Sequence, residues 1–295
     1  MLQIENVSKS YGKTLALDNL SFEVKQGEIF CLVGLNGSGK TTFFRILLQL
    51  MNPDSGKIMF EGTPLHEIDR KLLGYLPEER CLYRDMSVSN QLMFLGRLKG
   101  MADNQIIESM NKLKELLEFD YDFNKSICQL SKGNQQKVQL MGCLLHNPKI
   151  IILDEPFSGM DPYNVELLKK LFSILRKEGK YVLLSTHRLD HIESFGSSLL
   201  LLKRGKTIIK GDISEIRKAS KKRVITIIDE IPLFKIKDLV DDEYILKEGN
   251  QIKIYCNDEK KSKQFMSVLL KKFQNLSITY SYPSLEELFM ETKYE

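Results

Sequence analysis

A glycine-rich segment near the N-terminus carries the residue types that bind phosphate. Residues 34–42 read Gly-Leu-Asn-Gly-Ser-Gly-Lys-Thr-Thr and match the pattern G-x-x-x-x-G-K-[ST], with Gly34, Gly39, Lys40 and Thr41 in register. Glycines let successive backbone N–H groups approach phosphate oxygens, the lysine adds positive charge near the β- and γ-phosphates, and the threonine hydroxyl is a ligand for Mg²⁺. The segment therefore predicts nucleotide binding and leaves its purpose open.

Two carboxylates and a histidine follow apolar runs farther along the chain. Asp154 and Glu155 come directly after residues 150–153, and His187 follows residues 181–186. Carboxylates at the end of a buried strand are costly unless they meet a cation or take up a proton. We therefore interpret Asp154 as a Mg²⁺ ligand and Glu155 as the group that polarises an attacking water. A solitary histidine is more often structural, but a strand end favours a place in the same site.

These residues need elements that bring them together. Residues 28–33 read as a buried strand and residues 41–50 as a helix, so a bound phosphate would lie at the N-terminus of that helix. Continuous apolar runs are typical of strands buried on both faces of a parallel sheet, where ligands bind at the carboxyl edge. The pattern predicts an α/β domain with its site at that edge.

The segment before the glycine-rich loop reads as two strands, residues 2–7 and 20–24, with Tyr11 in the turn region between them. A tyrosine there is suited to stacking on a nucleotide base, although such a residue more often serves packing alone. Both interpretations of Tyr11 stay open at this point.

Helical patterns occupy the region between the glycine-rich loop and the carboxylates. Apolar residues recur at three- and four-residue steps from 87 to about 119, with Gly100 as a break between two helices. Another helix opens at Ser131, a natural N-cap. Ahead of these helices, residues 72–76 read as a strand that leads into a charged loop containing Glu78.

Length and composition indicate an ordinary globular protein of two domains. The chain has 295 residues, of which 42% are hydrophobic and 28% are charged. We find no apolar run of the length that a membrane helix needs and no signal-peptide pattern, so we expect a cytosolic protein. Five scattered cysteines without a C-x-x-C pair argue against a disulfide framework and against a zinc site.

The net charge of +4 is unevenly distributed, because residues 203–223 hold nine basic residues and two acidic ones. One interpretation is a solvated linker and hairpin surface. The other is contact with an anionic membrane face or with RNA.

The region after this basic stretch reads as a small α+β domain. Strand patterns occur at residues 223–228, 244–246, 251–255 and 276–280. A separate amphipathic helix is predicted over residues 258–273. Ser284 and Glu287 have the spacing of a capping box that opens a final helix.

Taken together, the first 215 or so positions resemble the nucleotide-binding subunit of an ABC transporter. Several motifs in the expected order carry the resemblance. They are Tyr11 as the base-stacking A-loop, residues 34–42 as Walker A, 130–135 as the signature, 150–155 as Walker B, 158–161 as the D-loop and 185–187 as the switch-histidine motif.

The resemblance implies an ATPase that uses ATP and Mg²⁺. It assigns catalytic roles to Glu155, His187 and Lys40, and metal contacts to Thr41, Asp154 and Glu78. The residues expected to contact ATP are Tyr11, Gly34, Leu35, Asn36, Gly37, Ser38, Gly39, Lys40, Thr41, Thr42, Ser131 and Gly133.

The resemblance also implies partners. Two cassettes, identical or different, would form a head-to-tail dimer that sandwiches two ATP molecules, each between one chain's Walker A motif and the other chain's Ser131 and Gly133. An integral-membrane permease would hold the dimer at the cytoplasmic face of the cell membrane. No nucleic acid is expected as a partner.

The fold class that follows is α/β. A P-loop ABC-type ATPase core with an antiparallel β subdomain would occupy residues 1–216, with a helical insertion at about 84–146. A small α+β C-terminal domain would occupy residues 217–295.

The sequence departs from the usual family pattern at several motif positions. Lys132 and Asn134 replace a glycine and the glutamine of the signature, and Glu78 stands where a glutamine is usual. Gly159 and Met160 replace an alanine and a leucine in the D-loop. Residues 77–80, residues 130–137 and the C-terminal domain resemble those of the bacterial drug, sodium and antibiotic-resistance export branch.

Other functions stay open from the sequence. A non-transport ABC ATPase acting on ribosomes, DNA or iron–sulfur assembly is one alternative, although we find one P-loop and one signature, and only 91 positions separate Lys40 from Ser131. A nucleotide-binding regulatory module that does not hydrolyse ATP is another. The principal hypothesis is therefore a cytosolic ATPase subunit that energises a separately encoded membrane permease, an exporter.

Overall fold

A computed structural model describes residues 1–228, 236, 244–273 and 277–294. The chain divides into two compact units, Met1–Gly211 and Asp212–Glu295. The boundary expected from the sequence, after residue 216, falls inside a helix of the second unit. Among the residues described, no helix combines the length and the apolar character needed to cross a bilayer.

The first unit contains two sheets, and its elements follow in chain order. The strands are β1 (Leu2–Tyr11), β2 (Thr14–Val24), β3 (Ile29–Val33), β4 (Ser55–Phe60), β5 (Thr63–Pro64), β6 (Leu73–Leu76), β7 (Ile150–Asp154), β8 (Tyr181–Thr186), β9 (Ser198–Lys203) and β10 (Lys206–Asp212). The helices are α1 (Lys40–Leu47), α2 (Val88–Leu98), α3 (Asp103–Leu116), α4 (Lys132–Leu144), α5 (Pro162–Lys177) and α6 (Leu189–Ile192), with 3-10 turns at Leu65–Glu67, Arg70–Leu72 and Ile127–Gln129.

The larger sheet sets the position of the site. Its strand order is β10-β9-β3-β8-β7-β6, and the neighbours from β9 to β6 run parallel. Their carboxyl ends therefore lie on one edge, where β3 leads into the glycine-rich loop. In the register of this sheet, Val33 lies beside Thr186 and Asp154 lies beside Ser185. The smaller sheet has the order β2-β1-β4-β5 and pairs antiparallel. The predicted α/β class with an antiparallel β subdomain is confirmed.

An aromatic cluster anchors the helix that follows the glycine-rich loop. Phe43 and Phe44 of α1 are fully buried, and the Phe43 ring packs on Phe22, which stacks on Phe30 at 4.4 Å between ring centroids. Burying rings of this size stabilises the contact between helix and sheet. The core thus fixes the first turn of α1 relative to the end of β3.

Several predicted element ends were wrong. Helix α1 ends at Leu47 rather than at residue 50, because Gln49 has a left-handed backbone with φ +56°. Strand β1 runs on to Tyr11 and β2 begins at Thr14, so Tyr11 ends a strand instead of lying in the turn. Irregular pairing between β1 and β2 interrupts the alternation of buried and exposed side chains that sequence patterns rely on.

The helical insertion has the predicted form. Helices α2 and α3 contact each other, and α4 contacts both. The break between α2 and α3 includes Gly100, whose φ of +74° suits a glycine. Ser87 caps α2 by accepting a hydrogen bond from the Asn90 N–H. This insertion joins β6 to β7, and α4 leads directly toward Asp154.

The second unit is a four-stranded antiparallel sheet with its own core. Its elements among the described residues are α7 (Ile213–Ala219), β11 (Arg223–Ile227), β12 (Tyr244–Glu248), β13 (Gln251–Cys256), α8 (Glu259–Lys272), β14 (Ile278–Ser281) and α9 (Leu285–Tyr294), and the strand order is β12-β13-β11-β14. Ile225, Ile254 and Leu269 are fully buried in one cluster. The capping box is confirmed, because Ser284 and Glu287 exchange hydrogen bonds of 2.8 and 3.1 Å. Of the predicted strand at 276–280, residue 276 lies outside the described residues.

Candidate active site

The carboxyl edge of the larger sheet and the end of the smaller one border a cleft of about 590 Å³. Residues from the glycine-rich loop, the strand ends and the β1–β2 turn contribute to its walls. The lining residues are Tyr11, Thr14, Leu15, Ala16, Asn36, Gly37, Gly39, Lys40, Thr41, Thr42, Glu78, Asp154, Glu155 and Arg204.

The glycine-rich loop needs its glycines for close backbone approach. A Cβ on Gly39, which has φ +113°, would lie 2.5 Å from the Ala16 carbonyl oxygen. A Cβ on Gly34 would lie 2.5 Å from the Leu202 carbonyl oxygen. Gly39 is also the N-cap of α1, so no side chain covers the first turn of that helix. The free N–H groups there are suited to bind phosphate.

Lys40 is buried and folded back onto the loop. Its Nζ donates to the carbonyl oxygens of Gly34 at 2.6 Å and Leu35 at 3.2 Å. Burial lowers the pKa of this amine, and the nearby carboxylates Glu155 and Asp154 act in the opposite direction. The Lys40 ammonium therefore has carbonyl partners in the loop and acidic neighbours at the end of β7.

Ser185 links the Asp154 carboxylate, at the end of β7, to the backbone of the next residue, Glu155. Its hydroxyl donates to Asp154 Oδ1 and accepts from the Glu155 N–H at 3.0 Å. Burial raises the pKa of the Asp154 carboxyl, and the Ser185 hydrogen bond offsets part of this effect. Glu155 has φ +48°, a region that residues with a β-carbon rarely occupy. The serine thus holds a strained backbone at the residue assigned as the base.

His187 lies directly beside Glu155. The His187 Nδ1 is 2.8 Å from Glu155 Oε1, and the histidine side chain is half exposed. The contact joins the ends of β7 and β8. His187 itself is not among the residues that line the cleft.

Tyr11 and Glu78 lie on different walls of the cleft. Tyr11 is 46% exposed, and its hydroxyl donates to the Met51 sulfur at 3.2 Å. Glu78 is held through its neighbours, because the Gln139 Nε2 donates to the carbonyl oxygens of Pro77 at 3.1 Å and Glu79 at 3.0 Å. Helix α4 therefore positions the loop that carries Glu78.

Ser131 and Gly133 do not line this cleft. Ser131 is the N-cap of α4, and a Cβ on Gly133 would lie 3.4 Å from the Asn164 amide at the start of α5. Of the Walker A residues, Gly34, Leu35 and Ser38 also stay out of the cleft wall. Leu35 is 61% exposed.

Arg204 and Ser185 were not predicted to contact the site, although Ser185 is the first residue of the 185–187 motif. Arg204 has φ +48° in the turn between β9 and β10. The next residue, Gly205, donates its N–H to the Ser38 carbonyl and accepts from the Asp18 N–H, both at 2.9 Å. This hairpin thus supports the glycine-rich loop and brings a guanidinium to the cleft. For Arg204, the only signal in the sequence was the basic character of residues 203–223.

Most basic residues of that stretch have structural partners. The ammonium of Lys206 lies 3.6 Å from Asp18, and Lys210 donates to the Ser21 carbonyl. In the second unit, the buried Arg223 pairs with Glu259 at 2.6 Å. These contacts favour the interpretation of the stretch as a hairpin and linker surface.

Comparison with known proteins agrees with this geometry. The ABC transporter family model matches residues 17–158, and the model of the ATP-binding protein DrrA1-3-like, C-terminal domain matches residues 211–292. The ABC transporter ATP-binding protein YhaQ of Bacillus subtilis is 38% identical over 99% of this chain and 98% of its own length. The Nod factor export ATP-binding protein I of Sinorhizobium fredii is 32% identical over 71% of this chain and 62% of its own length.

A solved structure gives the same fold. The dimeric structure of MJ0796, a bacterial ABC transporter cassette, is 26% identical with a TM-score of 0.63, over 72% of this chain and 98% of that one. The chain belongs to the ABC transporter ATP-binding proteins, and it is the ATP-binding and ATP-hydrolysing subunit of a transporter.

Proposed function

We propose that this ATPase energises a separately encoded membrane permease and that the permease exports its cargo. The observation that carries the proposal is the convergence of Lys40, Asp154 and Glu155 in one cleft beside the first turn of α1. The export direction rests on the similarity to a Nod factor export protein and on the DrrA1-3-like second unit. In this proposal the protein is bound, through the permease, to the cytoplasmic face of the cell membrane.

The cleft fits Mg²⁺ bound together with ATP. Asp154 is buried with a raised carboxyl pKa, so a nearby cation would relieve the cost of its charge. The described residues include no group of three His, Cys, Asp or Glu side chains able to hold a metal ion. Mg²⁺ usually takes one or two carboxylates and completes its shell with phosphates and water. Thr41, Asp154 and Glu78 would hold it, and it would neutralise phosphate charge.

The side chains of the cleft then have distinct tasks. Lys40 would exchange its carbonyl partners for β- and γ-phosphate oxygens. Glu155 would orient the attacking water and accept its proton, while His187 would sense the γ-phosphate from its position beside Glu155. Tyr11 would stack on the base at the opposite wall.

The site is completed by a second cassette in this proposal. Ser131 and Gly133 are accessible at the N-terminus of α4 but are absent from the cleft of their own chain. A head-to-tail dimer would place them over the γ-phosphate bound by the partner subunit. The partner is a second copy or a different cassette.

An apolar groove is the surface that we assign to the permease. It has a volume of about 390 Å³ between α2, α4 and the end of β6, and Leu50 and Leu98 at its border are 65% and 67% exposed. Tyr75 and Pro77 line the groove, and Pro77 directly precedes Glu78. An inserted permease segment would therefore contact the same loop that reaches the nucleotide.

A pull-down experiment tests the proposal. The chain is tagged at native level, membranes are solubilised in mild detergent, and co-purified proteins are identified. We expect a polytopic membrane protein with the wild type and its loss with Leu98→Glu, whereas ATP hydrolysis is retained. Ile107→Glu is the matched control, because Ile107 is 52% exposed on α3 outside the groove. Recovery with ribosomes or nucleic acid alone would contradict the transporter role.

A second variant tests the role of Glu155. Glu155→Gln keeps the size and removes the base, so we expect ATP binding to persist and turnover to fall by about 10²–10⁴-fold. ATP should then accumulate a dimer, detected by gel filtration with light scattering. The exposed Glu166→Gln on α5 is the control. Near-normal turnover would remove Glu155 from the role of base.

A further inference from the structure

The signature helix contains a side-chain contact that the family pattern does not describe. Asn134 stands at the position of the usual glutamine, and its side-chain Nδ2 donates to Ser131 Oγ at 2.9 Å. The backbone N–H of Asn134 donates to the same oxygen at 3.3 Å. One hydroxyl oxygen thus accepts two hydrogen bonds from one residue.

This arrangement fixes the direction of the Ser131 proton. A serine hydroxyl has two acceptor lone pairs and one donor proton. Because Asn134 occupies both lone pairs, the proton points to a third direction. Ser131 is exposed, so that direction is open to a group outside the chain. The partner must be an acceptor.

The surroundings of Ser131 favour an anion as that acceptor. Helix α4 is 13 residues long, and its first turn contains no acidic side chain. Lys132 adds an exposed positive charge directly after Ser131. The N-terminus of a helix carries partial positive charge, so a lysine there is unfavourable unless an anion is nearby.

We propose that Asn134 is a positioning residue that holds the Ser131 hydroxyl as a donor toward the γ-phosphate bound by the partner subunit. The inference rests on the proposed dimer, in which Ser131 meets that phosphate. Oxygen atoms of a γ-phosphate are acceptors, so a pre-oriented donor gains a charge-assisted hydrogen bond without reorganisation.

Asn134→Asp separates this role from simple helix capping. The carboxylate has the shape of the amide but only accepts, so it would draw the Ser131 proton toward itself and add negative charge beside the phosphate. As a capping change alone, an acidic residue in the first turn stabilises a helix. Positioning therefore predicts a loss of activity with unchanged or raised thermal stability.

The experiment uses the full chain and measures steady-state ATP hydrolysis, ATP-dependent dimer formation and the unfolding temperature. We expect kcat to fall about 10–100-fold in Asn134→Asp and about tenfold or less in Asn134→Ala, the size of one charge-assisted hydrogen bond. Dimer formation by Glu155→Gln should weaken when Asn134→Asp is added. Asn104→Asp, in the exposed first turn of α3, is the control for added charge.

A second background makes the outcome decisive. In Ser131→Ala, Asn134→Ala should lower kcat by less than twofold further, because no hydroxyl is left to orient and no charge is added. An equal fall for Asn134→Ala in both backgrounds, or a kcat for Asn134→Asp within twofold of wild type, would overturn the positioning role. If Ser131→Ala itself keeps full activity, the proposed dimer site fails instead.

Discussion

Ser185 supports the site through its hydrogen bonds to two neighbouring residues. It is fully buried and bonds both to the Asp154 carboxylate and to the Glu155 N–H. Ser185→Ala leaves both buried groups without this partner, and each lost bond costs about 1–3 kcal/mol. We expect ATP hydrolysis to fall about tenfold or more.

The measurement is steady-state turnover at saturating ATP and Mg²⁺. Ser173→Ala is the matched control, because the Ser173 hydroxyl donates only to the Lys169 carbonyl on the exposed side of α5. Unchanged turnover in Ser185→Ala would show that the strand ends alone hold the carboxylates in place.

The raised pKa of Asp154 has a consequence for stability. A carboxyl group whose pKa is higher in the folded state than in the unfolded state favours folding below the unfolded pKa, and this benefit is lost as the pH rises through the folded pKa. Without ligand, Asp154→Asn should therefore raise the unfolding temperature. The rise should be about 2–4 °C for each kcal/mol of charge-burial cost that the variant removes.

The difference from wild type should grow between acidic and neutral pH. It should reverse with ATP and Mg²⁺, because in the proposed site Mg²⁺ binds the Asp154 carboxylate that the variant lacks. Scanning calorimetry at several pH values measures both effects. A variant that is less stable at every pH would contradict the cost assigned to the buried charge.

At this scale the sequence predicted residues that occur in motifs. Lys40, Asp154 and Glu155 follow from residue type and spacing, and they line one cleft. Ser185 was not predicted as a partner of the carboxylates, because a hydroxyl inside an apolar run looks like a core residue. Its partner Asp154 lies 31 positions earlier, and only the strand register brings them together.

Helix α4 is the element that joins separate parts of the site. Ser131 begins it, and two turns later Gln139 holds the loop around Glu78. Gln139→Met keeps the volume but removes both hydrogen bonds to that loop. If Glu78 takes part in holding Mg²⁺, we expect the Mg²⁺ concentration for half-maximal hydrolysis to rise about 3–10-fold, since each neutral hydrogen bond contributes about 1 kcal/mol.

A Mg²⁺ titration of hydrolysis measures this shift. Hydrogen exchange of residues 77–80 measures the loosening of the loop. Gln105→Met is the control, because Gln105 accepts only the Ala102 N–H at the start of α3. An unchanged titration with faster exchange would separate loop order from metal binding.

Elements with strong periodicity were predicted well, and irregular ones were not. The helical insertion, the buried strands and the capping box of the second unit agree with the sequence patterns. The limits of β1 and β2 did not, because Asn6 and Asn19 take left-handed conformations at the irregular pairing between the strands. Such bulges depend on tertiary pairing, which local propensity does not encode.

The whole molecule consists of two units with separate cores, and every residue of the nucleotide cleft belongs to the first. Ile254 is fully buried in the core of the second unit. Ile254→Ala should destabilise that unit by about 2–5 kcal/mol through loss of packing. We expect hydrogen exchange to rise in β11 and β13 while ATP hydrolysis stays within twofold of wild type.

Ile152→Ala in the larger sheet is the matched control, since Ile152 is equally buried and its loss should slow hydrolysis. A large fall in hydrolysis with Ile254→Ala would show that the second unit supports catalysis. The cargo could not be predicted from this sequence, because the residues that would select it belong to another chain in the proposed assembly.

The left-handed backbone of Glu155 also bears on how such a protein evolves. Glutamate codons change to glycine codons by a single base, and glycine is the residue that this conformation favours. If Glu155 is the base, as proposed, that exchange would abolish turnover while relieving backbone strain, so selection for folding alone would not remove it. A substitution that ends catalysis at this position therefore does not lower the stability of the fold. A duplicated gene would then retain a stable protein that binds ATP without hydrolysing it.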